Sequence, residues 1–130
     1  MSPLGSVSPM HARTIARGLA LGRIAIGAAI VAAPTRFTRG WIGDVAAQPG
    51  AQAISVALGA RDVAVGAGSL LALERGRDAR TWFAASLACD AADGIATFSR
   101  RGALPPAGAL GVTALATGAA VAGLWLLKDL

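Results

Sequence analysis

The chain has 130 residues, 55% of them hydrophobic and 15% charged, with a formal net charge of +5. That length fits one domain, but a water-soluble domain carries about 25% charged side chains, and too few polar groups remain here to cover a core. The arginines lie in short segments between apolar runs and form no patch interleaved with aromatics, which excludes nucleic acid as a partner and points to loops flanking a lipid bilayer.

Residues 1–12 begin with Ser2, Pro3, Gly5, Ser6, Ser8 and Pro9 and read as a flexible tail. The first apolar run spans residues 15–33. At helical rise its nineteen residues cover about 28 Å, close to a hydrocarbon core. Arg23 in its middle and Pro34 just past Ala33 argue against a cleaved signal peptide.

Residues 34–50 form a connector with Arg36, Arg39 and Asp44, ending in the turn Gln48-Pro49-Gly50. Phe37, Trp41 and Val45 recur every four residues, so this segment is expected to lie at the headgroup level, anchored by Phe37 and Trp41. The second run covers residues 51–73, and the charged loop from Glu74 to Arg80 follows it. The third covers residues 81–98 and stops at Arg100-Arg101-Gly102; the fourth covers residues 104–127, with Pro105-Pro106 suited to a helix start.

The expected architecture is therefore all-α. Residues 13–130 make a single four-helix transmembrane bundle with short loops, antiparallel neighbours and an interfacial segment between the first and second helices. An even number of spans puts both termini on one side, with Arg13, Arg17, Arg75, Arg77, Arg80 and Lys128; the opposite side holds Arg36, Arg39, Arg100 and Arg101. The excess places the termini in the cytoplasm.

The informative residues are polar ones at the centres of the runs: Arg23 in the first, Arg61 and Asp62 in the second, Asp90 and Asp93 in the third. Each costs about 2.5–3.5 kcal/mol to insert, so they must face inward. Ser86, Asp90, Asp93 and Thr97 share one helical face, and Ser55, Gly59, Asp62, Gly66 and Ser69 form a stripe on the second helix. The expected core is an ion-pair network with Arg61 on Asp90 or Asp93 and Arg23 on Asp62. Arg61 and Asp62, about 100° apart on the helix, should serve different neighbours. One carboxylate is then left over as a titratable site. Gly18, Gly22, Gly27, Gly59, Gly66, Gly111 and Gly118 are the expected helix-packing positions, since small residues let backbones approach in lipid. The fourth helix carries no charge between Leu104 and Leu127 and is the natural face for self-association or a larger complex.

No motif assigns a reaction. Asp90-Ala91-Ala92-Asp93-Gly94 matches the opening of the membrane phosphatidyltransferase signature, but its Ala-Arg and two downstream aspartates are absent. Thr97-Phe98-Ser99 matches a tripeptide of small fluoride channels without the surrounding glycine pattern. A single histidine, His11, excludes a His-based zinc site, and a single cysteine, Cys89, excludes an internal disulfide. No cofactor or metal is expected.

The order Gly22-Arg23-Ile24-Ala25-Ile26-Gly27, Pro34, Trp41-Ile42-Gly43, Gly59-Ala60-Arg61-Asp62-Val63-Ala64-Val65-Gly66 and Asp90-Ala91-Ala92-Asp93 resembles an uncharacterised family of small four-helix membrane proteins common in actinobacteria. In layout it is similar to the DoxX-like membrane proteins. The resemblance covers the chain from Ile15 on, with Gly-Ala-Arg-Asp its most specific part. It implies fold and membrane location and no activity. The functional expectation is a structural or accessory membrane protein. The alternatives are binding or transport of a proton, ion or small polar solute, and an intramembrane enzyme acting on a lipid or isoprenoid with Asp90 and Asp93 as acid and base.

Overall fold

A computed structural model describes residues 8–130. Among them every regular element is helical: α1 (Pro9–Ala32), α2 (Pro34–Ile42), α3 (Pro49–Glu74), α4 (Arg80–Ser99) and α5 (Pro106–Asp129), with short 3-10 turns at Gly43–Ala47 and Arg101–Ala103. Prolines open four of the five α-helices at a first-turn position, where the missing N–H removes no helical hydrogen bond. α3 ends at Arg75 in a Schellman arrangement: Gly76, at φ 61°, follows, and Arg77 N donates to Ala72 O at 2.9 Å.

The four long helices follow the apolar runs, with ends shifted by up to six residues. The expected tail is corrected where it is described. Residues 9–12 belong to α1, with His11 and Ala12 N–H groups donating to Ser8 O; residues 1–7 lie outside the described part. The connector is corrected too, because residues 34–42 form a fifth helix. α1, α3 and α5 are each long and apolar enough to cross a membrane. α4, with 20 residues, has Asp90 and Asp93 at its centre and falls short of that composition.

The long helices assemble as two antiparallel pairs. α1 packs along α3 by backbone approach: a Cβ on Gly27 would lie 2.5 Å from Gly59 O, and one on Gly66 would lie 2.9 Å from Ala20 O. α4 packs along α5, where Gly94 meets Ala116 and Gly123 meets Leu87. The pairs touch each other sparingly, and no Cα of α1 comes within 8 Å of a Cα of α4.

The two ends are closed differently. At one end Ala12, Ala16, Leu73, Phe83 and Leu126 form a buried cluster, so the start of α1 and the end of α5 lie together. Arg13 donates to Leu73 O at 2.6 Å and Arg17 pairs with Glu74 there. At the other end α2 lies across the start of α5, with no room for a Cβ on Gly108 beside the Gly40 backbone.

Candidate functional site

Midway between the two ends, one connected network of five charges joins the pairs. Arg23 of α1 donates through Nη1 to Asp62 Oδ1 on α3 at 2.9 Å and through Nη2 to Asp90 Oδ1 on α4. Arg61 of α3 donates through Nη2 to Asp93 Oδ2 at 2.7 Å and through Nη1 to Asp93 Oδ1 at 3.2 Å, a forked contact to α4. It also reaches back to Asp62 Oδ1 at 3.1 Å. The Arg23, Asp62 and Asp90 side chains are only 12–14% exposed. Arg61 and Asp93 are more open, at 33% and 26%.

The local reason for this geometry is helical register. Asp90 and Asp93 are three residues apart and share a face of α4. Each takes a different guanidinium. Arg23 spans the gap between α1 and α4 that backbone contact leaves open. A guanidinium suits this position because its planar fork can serve two carboxylates at once.

All five charged residues singled out from sequence are brought together, and Arg23–Asp62 and Arg61–Asp93 pair as expected. Arg61 and Asp62 serve different neighbours, Asp93 and Arg23, and in addition contact each other, because the long arginine side chain folds back over the 100° that separates their Cβ directions. One expectation is corrected. No carboxylate is left over: Asp62 lies between both guanidiniums, Asp90 takes Arg23 and Asp93 takes Arg61. What remains open is narrower. Among the described residues, none donates a hydrogen bond to Oδ2 of Asp62 or Oδ2 of Asp90, and neither oxygen is sealed from a water-sized probe.

Those carboxylates line a cavity of about 380 Å³ between the two pairs. Its floor holds Arg23, Asp62, Asp90 and Asp93. Its walls are apolar and aromatic, with Ile26 and Phe37 on one side and Val112, Leu115 and Ala119 on the other. Ser86 and Thr38 are the hydroxyls on it, and Trp41 and Phe83 complete the lining.

The expected packing glycines divide. Gly27, Gly59 and Gly66 lie at the α1–α3 crossing. Gly18, Gly22, Gly111 and Gly118 have nothing within 4 Å of a Cβ and are exposed, so they are not packing positions within the chain; Gly18 and Gly22 border the cavity instead. Sequence reasoning missed Gly68, which carries the Trp82 ring, and Gly108. A glycine facing an aromatic on the next helix is a usable signal for the first. Of the two expected interface anchors, Trp41 donates through Nε1–H to the buried Thr97 Oγ1 at 3.2 Å, turning the indole toward α4, while Phe37 stays exposed.

Comparison of the chain with models of known protein families, with curated proteins and with solved structures yields no match.

Proposed function

We propose that this chain is a four-helix transmembrane bundle, with α1, α3, α4 and α5 as the spans and α2 at the interface, acting as a structural or accessory membrane protein held together by an intramembrane Arg–Asp clamp. It belongs with the small four-helix membrane proteins it resembles, inserted with both termini on the cytoplasmic side. The observation that carries this reading is the Arg23 fork from α1 onto α3 and α4.

In lipid the clamp does what apolar packing does not. Acyl chains are as apolar as leucine, so no hydrophobic force drives one helix pair onto the other. Ionised groups have no such freedom. Facing acyl chains, the five would cost on the order of 12–17 kcal/mol at about 2.5–3.5 kcal/mol each. Turned inward and hydrogen-bonded they avoid most of that cost, and α4, the least apolar span, becomes stable as a span only when its aspartates are met. The clamp therefore ties insertion of α4 to assembly with α1 and α3.

The test is Arg23→Met, which leaves Asp62 without one of its guanidiniums and Asp90 with none. Removing one partner of a buried pair costs about 3–5 kcal/mol, so thermal unfolding in lipid nanodiscs should show that loss. Arg23→Lys should recover only part of it, since one ammonium lacks the planar fork. An Arg23→Met protein as stable as the parent would remove the clamp.

A further inference from the structure

We infer that the cavity between the two helix pairs is a binding site for an amphiphilic organic monocation, such as a lipophilic amine or quaternary ammonium, entered from the lipid between α1 and α5. This goes beyond the clamp, which concerns what holds the bundle and needs no ligand.

Shape gives the first part of the argument. The buried Ala12–Leu126 cluster fills one end of the bundle, and α2 lies across the other against α5. The sparing contact between α1 and α5 leaves an opening in the side, and Gly22 of α1 and Leu115 of α5, both on the lining, are exposed. A ligand entering sideways through acyl chains must itself be largely apolar, and the walls formed by Ile26, Val112, Leu115 and Ala119 match such a body.

Charge gives the second part. Three carboxylates meet two guanidiniums, which leaves one formal negative charge on the floor of an apolar cavity. Each guanidinium already serves two carboxylates, Arg23 those of Asp62 and Asp90 and Arg61 those of Asp93 and Asp62. The acceptors left free are Oδ2 of Asp62 and Oδ2 of Asp90, both on residues that line the cavity. One positive head at that position would neutralise the excess where the dielectric is low and the attraction is strongest. An anionic head would add a second unbalanced charge. Phe37, Trp41 and Phe83 belong to the lining, and aromatic rings attract a cation through their faces and give nothing comparable to an anion. A bare inorganic ion would gain from the floor but not from the walls.

The test compares tetraphenylphosphonium with tetraphenylborate, which share size and shape and differ in sign, on the full chain in nanodiscs with empty nanodiscs as baseline. The expected result is saturable binding of tetraphenylphosphonium and at least tenfold weaker binding of tetraphenylborate. Gly22→Leu grows a side chain from a position beside the cavity where a Cβ meets nothing within 4 Å, and should weaken tetraphenylphosphonium at least tenfold with an unchanged melting temperature. Ala119→Leu blocks the same space from α5 and should do likewise. Equal binding of the two ions, preference for the anion, no saturable binding above empty nanodiscs, or full binding by both blocked variants would each overturn the site. The clamp is read by unfolding and the cavity by sign selectivity, so failure of one is distinct from failure of the other.

Discussion

At the scale of single residues, the close approach of α1 and α3 rests on Gly27 and Gly59, whose backbones leave no room for a methyl group. A Cβ at either would press on the other's carbonyl, 2.5 Å from Gly59 O in one case and 2.6 Å from Gly27 O in the other. Backbone cannot yield as a flexible side chain can, so Gly27→Ala or Gly59→Ala should cost about 1–3 kcal/mol by overpacking. Gly18→Ala, beside open space, should leave the melting temperature within a degree or two. Equal effects at positions 18 and 27 would contradict the crossing. The contrast also marks what the sequence can carry. The Gly18–Gly22 spacing has the right period for a packing motif, but period says nothing about which face of α1 turns to α3. Gly27, Gly59 and Gly66 are legible because each lies three or four residues from a charge that must point inward, and so on its helical face.

At the scale of elements, α2 is where sequence reading fell short. Pro34 reads as a break and does interrupt the long helix, yet proline at a first helical position also starts the next one. The four-residue spacing of Phe37, Trp41 and Val45 held the helical signal. What the spacing lacks is a partner for the indole, since Thr97 is remote in sequence and appears only as the last residue of a polar face on α4. The Trp41–Thr97 hydrogen bond ties α2 to α4, and the tight Gly40–Gly108 contact ties it to α5. Trp41→Phe keeps the ring and removes the donor, which should cost about 1 kcal/mol. The loss should appear locally, as several-fold faster tryptic cleavage after Arg36 or Arg39 with little change in global unfolding. Unchanged cleavage would mean that α2 is held by the glycine contact alone.

At the scale of the whole molecule, the architecture is two tight antiparallel pairs with a polar seam between them. The long helices were legible because apolar runs of bilayer length leave few alternatives, and the charged seam was legible because five ionisable groups in such runs must meet. The cavity was not, because it depends on how far apart the pairs stand, and no local pattern encodes that distance. Meeting of the start of α1 and the end of α5 in one buried cluster puts both ends of the described chain on one side of the proposed membrane. Single cysteines at Ser8 and Asp129, in a Cys89→Ala background, should therefore label together from the cytoplasmic face of oriented vesicles. Labelling from opposite faces would contradict the four-span bundle.

The seam itself is tested most directly by a double-mutant cycle between Arg23→Met and Asp90→Asn, followed by unfolding in nanodiscs. No Cα of α1 lies within 8 Å of one on α4, so the direct contact between these two residues is the side-chain pair itself. Residues joined through a hydrogen-bonded charge pair couple by about 0.5–3 kcal/mol, whereas independent sites add to within a few tenths. A coupling of about 1.5 kcal/mol or more is predicted, with the double variant less destabilised than the two single losses summed. Strict additivity would show that α1 and α4 are not held together by this pair.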